Sequence, residues 1–124
     1  MTTLDLDENR STYQIRSFKP GRLQINETTY SQSVIITPHQ LIANWPPQTI
    51  GELTAQSLSP IIELKPDVLL IGTGATLVFL SADIYGELIN QRIGVEVMDT
   101  SAACRTFNAL SAEERNVAAA LIIS

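Results

Sequence analysis

At 124 residues and 44% hydrophobic content, the chain has the size and composition of one domain folded around a single core. Eight Lys and Arg against thirteen Asp and Glu leave a formal charge of -5, which argues against a protein held to nucleic acid by phosphate contacts and against a basic membrane-surface helix. A single cysteine, Cys104, and a single histidine, His39, exclude an intramolecular disulfide framework, a cysteine zinc cage and a multi-histidine metal or acid–base site, so no metal and no cofactor are expected and a reducing cytoplasm is the default setting.

Residues 1–9 are polar and unpatterned and read as a flexible tail, without the layout of a secretory signal or a mitochondrial presequence. The longest apolar runs, 68–71 and 117–123, fall far short of the roughly 20 residues that span a bilayer, so no stable membrane insertion is expected. Tyr13-Gln-Ile-Arg-Ser-Phe18 alternates in strand fashion, and Lys19-Pro-Gly-Arg22 supplies turn chemistry. Leu23-Gln-Ile25, Thr28-Thr-Tyr30 and Ser33-Val-Ile-Ile36 continue an antiparallel meander, with a tight turn at Asn26-Glu27. Thr37-Pro38-His39 closes it, because Pro cannot donate to a ladder. His39 is a structural or exposed residue, or else a proton shuttle; no nucleophile neighbours it in the segment. Asn44-Trp-Pro-Pro47 is linker-like, with Trp45 suited to anchor it to the body. Residues 49–64 are helix-compatible, with Thr54 or Ser59 as N-caps. Pro60 either begins a short helix or kinks a longer one.

Asp67-Val-Leu-Leu-Ile71, bounded by Pro66 and Gly72, is the expected pattern of a strand covered on both faces. A helix follows Ser81, with Asp83 in its first turn, Ile84, Leu88 and Ile89 on one face, and Gly94 as a left-handed cap. Val95-Glu-Val-Met98 forms the next strand. Thr100 then caps a helix on which Ala103, Phe107 and Leu110 recur, residues 111–115 resemble a single capped turn, and 117–123, whose alanines allow helix or strand, read as a final strand for their short apolar run with no polar face after it. Strands separated by helices imply right-handed crossovers and an α/β fold, with residues 1–124 as one domain.

Gly72-Thr73-Gly74 follows a buried strand, where parallel sheets gather ligands, and exposed N–H groups there could cradle an anion. Leu77 occupies the position that would complete a dinucleotide fingerprint, and no Gly-Lys-Ser/Thr sequence makes a P-loop, so a structural turn is the competing reading. Arg105 and Asn108, three apart on the Thr100 helix, suit a carboxylate or phosphate. Alternatively, Arg105 pairs with Asp99, Glu113 or Glu114. Cys104 fits a small buried hydrophobe better than a nucleophile. No Ser/His/Asp triad or paired-carboxylate site assembles from the remaining residues.

Tyr30-Ser-Gln-Ser-Val-Ile-Ile36, Trp45-Pro46, Pro66-Asp-Val-Leu-Leu-Ile-Gly-Thr-Gly74, Gly94-Val-Glu-Val-Met98, Thr100 with Ala102-Ala-Cys-Arg-Thr-Phe-Asn-Ala-Leu110, Glu114-Arg115 and Val117-Ala-Ala-Ala-Leu121 together resemble the Mth-like domain family. That family includes complex I assembly factor 3-like and adipogenesis-associated proteins. The resemblance implies a three-layer α/β fold with a central mixed, mostly parallel sheet whose last strand is antiparallel, flanking helices and an N-terminal antiparallel β-meander. It implies no established enzyme activity, and it maps a shared pocket onto Gly72, Thr73, Gly74, Thr100, Arg105, Thr106 and Asn108. Two functions follow. One is a non-catalytic binding or assembly factor with a protein partner, linked to respiratory-complex biogenesis. The other is a small-molecule (carboxylate or phosphate) binder or unrecognised enzyme using that pocket. The missing presequence points to a cytoplasmic, bacterial relative, and nothing in the residues sets the oligomeric state.

Overall fold

The computed structural model describes residues 12–124; the tail expected over residues 1–9 lies outside them. Alternating residues build the first sheet, β1 (Ile15–Lys19), β2 (Arg22–Ile25) and β3 (Thr28–Tyr30), each antiparallel to the next. Ile15, Leu23 and Ile25 form its buried side. Lys19 pairs with Arg22 across Pro20-Gly21, where Gly21 takes the φ of +85° that a type II corner demands after proline. At the second turn Asn26 adopts φ +51°, and its side-chain amide accepts from Gln14 N and donates to Thr12 O, tying the turn to the start of β1.

The meander stops at three strands. β4 (Val34–Ile36), expected to extend it, joins a second sheet. The reason lies in its three residues, which are all buried, Val34 and Ile36 in one apolar cluster and Ile35 in the other. A strand apolar on both faces belongs inside a covered sheet, not in one with a wet face. β5 (Leu41–Ile42) pairs with it as an edge strand. The second sheet runs β5-β4-β8-β6-β7, where β6 is Val68–Gly72, β7 is Gly94–Met98 and β8 is Val117–Leu121.

The mixed α/β class and the three layers hold, with one change of strand direction. β8 runs parallel to β6, which is parallel to β7, and β8 is antiparallel to β4. The reversed strand is therefore β4, not the last one. Helix α3 (Thr100–Ala112) is 13 residues long, or about 20 Å, enough to carry the chain back to the end of the sheet from which β7 started. The first crossover, through α2 (Ala82–Asn90), moves outward from β6 to β7; the second moves back past β6 to β8. Two right-handed crossovers travelling in opposite directions place their helices on opposite faces.

One face accordingly carries α3 and the meander, packed through Ala103, Phe107, Leu23 and Ile25 onto Leu70, Ala119 and Leu121. The other carries Leu88 of α2, Ile61 of α1 (Ser59–Leu64) and Trp45, packed onto Leu69, Ile71 and Ala120. Trp45 anchors the Pro-rich segment as expected, being 2% exposed with its indole N–H donating to Ser57 O at 2.9 Å. Pro60 lies in the first turn of the short α1, where its missing N–H costs nothing.

Local expectations change as well: Leu58, not Thr54 or Ser59, holds the N-cap position of α1, with no side-chain cap bond. Arg92, at φ +66°, takes the left-handed position after α2, and Gly94 opens β7. Asp99, not Thr100, caps α3, its carboxylate accepting from Ala102 N at 2.8 Å. Residues 111 and 112 continue α3, and the turn that ends it has Glu114 at φ +62°.

Candidate functional site

The Gly72-Thr73-Gly74 loop leaves β6 at the rim where β7 ends and α3 begins. Its N–H groups are committed to the fold. Thr73 N donates to Met98 O at 2.8 Å, Gly74 N to Thr100 Oγ1 at 2.8 Å, and Ala75 N to Ser124 O at 3.0 Å. Thr100, displaced from the cap to the first residue of the helix, is fully buried. Its hydroxyl accepts from Gly74 N and donates to Ile122 O at 2.8 Å, while its own N–H donates to Gly74 O. The Thr73 hydroxyl donates to Thr76 O at 2.6 Å and accepts from Val78 N. One hydroxyl thus joins the loop of β6, the start of α3 and the residue after β8.

Glycine is required at both ends of the loop. A Cβ on Gly72 would sit 2.8 Å from Thr100 Oγ1 and 2.9 Å from Thr100 Cα; one on Gly74, at φ +104°, would sit 2.5 Å from Ser124 O. The loop is a tight weld between sheet and helix, with no open N–H cradle at Thr73, Gly74 or Ala75.

The other expected residues point elsewhere. Arg105 is exposed and donates from Nη1 to Ser101 Oγ at 2.9 Å, one turn back on the same helix. Thr106 is half-buried. Asn108, eight residues or about 12 Å along the helix from Thr100, accepts from Ile15 N at 3.0 Å and donates to Ile15 O at 2.7 Å. This two-point bond treats Asn108 as a strand partner for β1 and clamps the meander to α3. Gly72, Thr73, Gly74 and Thr100 meet; Arg105 and Asn108 serve different contacts.

Cys104 is a buried free thiol one turn beyond Thr100. Burial pushes its pKa from 9.0 up to about 12, against the lowering pull of Arg105 and with a smaller upward push from Asp99. The native thiol will react with a disulfide reagent at pH 8 at least about 100-fold more slowly than the urea-unfolded chain, as followed by absorbance. An unfolded thiol ionises from about pH 8.5, whereas the folded one keeps its proton to about 12. Between these values the unfolded state binds fewer protons, so stability falls as pH rises, by about 1.4 kcal/mol per unit at most, and is unaffected below them. Cys104→Ala will lack that component of the slope in urea titrations compared between pH 9 and 10.5.

At the opposite end of the sheet a cavity of about 480 Å³ is formed by Thr37, Pro38, His39 and Gln40, the end of α1 at Leu64, and Ser111 with residues 114–116. His39 Nδ1 lies 3.1 Å from Thr12 Oγ1, both exposed, and the buried Ser111 hydroxyl has no partner. Sequence reasoning isolated His39 but not this cavity, which three distant segments assemble; no local pattern marks it. Among the described residues no cluster of three or more His, Cys, Asp or Glu is placed to hold a metal ion, and no helix is long and apolar enough to cross a membrane.

Known proteins are similar to this chain in sequence and fold. A zebrafish (Danio rerio) protein named NADH dehydrogenase [ubiquinone] 1 alpha subcomplex assembly factor 3 is 40% identical over 111 residues, covering 87% of this chain and 63% of its own length. The chain thus spans under two thirds of that relative. A crystal structure from Bordetella parapertussis superposes with a TM-score of 0.85 at 34% identity, over 92% of this chain and 98% of that one. A solution structure from Bordetella pertussis, described as a Mth938-like domain, gives a TM-score of 0.83 at 28% identity, over 98% and 92% of the two chains. The resemblance to Mth-like domains is thereby upheld at the level of the whole fold. The family model described as protein of unknown function (DUF498/DUF598) matches residues 15–122, from the first strand through the residue that Thr100 holds, and the chain belongs to that family.

Proposed function

We propose that the protein is an assembly factor that binds a protein partner during the biogenesis of a respiratory NADH:ubiquinone oxidoreductase, acting as one domain over residues 1–124 and turning over no substrate of its own. The observation that carries this reading is the 40% identity to a protein named as an assembly factor of that enzyme. The geometry agrees with it. Thr73, Gly74, Thr100 and Asn108 direct their polar groups into the fold, and the one thiol is held protonated in the core. We take the setting to be the cytoplasm, which the single free buried cysteine supports.

Deletion of the gene in the native host tests the proposal. Native gels stained for NADH oxidation should show the assembled enzyme reduced several-fold, with subassemblies accumulating, and the full chain supplied from a plasmid should restore it. Wild-type levels of assembled enzyme in the deletion strain would overturn the reading.

A further inference from the structure

The large apolar side chains left exposed among the described residues are Leu77 (47%), Phe79 (87%) and Ile89 (52%), all in the segment that enters and forms α2. On that helix Ala82, Gly86 and Ile89 follow at i, i+4 and i+7 and so share one face, which flanks the Ile84, Tyr85 and Leu88 side that packs on the sheet. Gly86 is the notable member. A Cβ there would meet nothing within 4 Å, so packing inside the chain gives no reason for a residue that weakens a helix interior. Gly86 thus leaves a small depression in the helix surface, with Ile89 on the same face and Phe79 three residues before Ala82 in the chain. A partner covering these side chains would remove their apolar surface from water.

Its charge selects the occupant. Asp83 and Glu87, i and i+4, run beside the depression, and α2 carries no cation; Arg92 comes only after the helix has ended. Glu87 accepts from Gln91 Nε2 at 2.9 Å, a neutral donor that leaves its charge in place. A second copy docked about a two-fold axis would set acid against acid, on a chain already at -5. We propose that the Phe79, Gly86 and Ile89 face of α2 docks an amphipathic helix of a protein partner, apolar along its contact stripe and bordered by Lys or Arg. This rests on the binding-factor reading and locates its surface. Gly86 lets the two helix backbones approach, Phe79 and Ile89 cover the apolar stripe, and Asp83 with Glu87 receives the cations.

The test uses the full chain and a probe helix, a 14-residue Leu/Lys amphipathic peptide, with a Leu/Glu peptide of the same pattern as control. Gly86→Gln projects into open space and favours the helix, so it should raise the melting temperature while filling the depression. Wild type should bind the Leu/Lys peptide at least tenfold more tightly than the Leu/Glu peptide, with NMR shifts confined to residues 77–92. Gly86→Gln and the pair Asp83→Asn/Glu87→Gln should each weaken binding at least tenfold. Equal binding by wild type and Gly86→Gln, or shifts centred elsewhere, would overturn the proposal. So would a stable wild-type dimer that Gly86→Gln dissociates, since a second copy would then occupy the face. Complementation of the deletion strain separates the two readings. If wild type restores the respiratory enzyme and Gly86→Gln does so equally, the surface is wrong and the assembly role stands; if deletion has no effect, the assembly role fails whatever the peptide does.

Discussion

Thr100→Val will destabilise the fold by roughly 3 kcal/mol or more, because it strands two buried backbone groups at once. The side chain is fully buried and its hydroxyl serves Gly74 N and Ile122 O, each at 2.8 Å. Valine has nearly the same shape, so no cavity opens, and the loss is that of an unpaired N–H and an unpaired C=O. Thr100→Ser keeps the hydroxyl and loses one methyl group, for about 1 kcal/mol. Urea unfolding of the three proteins separates these terms, and the valine variant should also melt about 10 °C lower. Should valine and serine variants prove equally stable, the hydroxyl is not what joins helix, loop and C-terminal strand.

Gly72→Ala carries a comparable cost by a different route. Its Cβ would lie 2.8 Å from Thr100 Oγ1, 2.9 Å from Thr100 Cα and 3.2 Å from Leu121 Cδ2. A side chain could rotate away, but Thr100 Cα belongs to the backbone of α3, so the helix itself must move off the sheet. Overpacking of this kind costs roughly 3 kcal/mol. Combining it with Thr100→Ser should give no recovery, since both the Cα and the oxygen remain. A double variant more stable than Gly72→Ala alone would show that the threonine methyl, and not the helix backbone, sets the limit. In the folded fraction both substitutions should leave α2 untouched, so any loss of partner binding should track loss of folded protein.

The loop that these predictions concern was visible in the sequence as a Gly-Thr-Gly after a buried strand, and that much was correct. What the residues alone left open was the direction of its N–H groups. A ligand loop and a structural weld use the same glycines, for positive φ and for close approach. The difference is supplied by Thr100, 26 positions from Gly74, and by Ser124 and Ile122. Asn108 shows the same ambiguity. Its polar amide, three residues from Arg105, fits an anion site, yet its partner is Ile15, 93 positions away. The cap of α3 was misread by one residue because Asp99 and Thr100 are both good cap residues, and only the burial of Thr100 separates them.

The sequence by itself determined the strands at 68–71 and 95–98 and the helices that follow Ser81 and Asp99, since apolar run length and helical spacing are local properties; at 117–123 the alanines allowed helix or strand, and pairing with β4 and β6 made it a strand. It also determined the family, through the order of its short motifs. Tertiary structure alone decided which sheet β4 entered, which strand was reversed, whether the glycine loop was open or sealed, and which face of α2 lacked a cover. Each of these depends on contacts between residues far apart in the chain, where the free energy of burying a surface or pairing a polar group is set by a neighbour that no local pattern names.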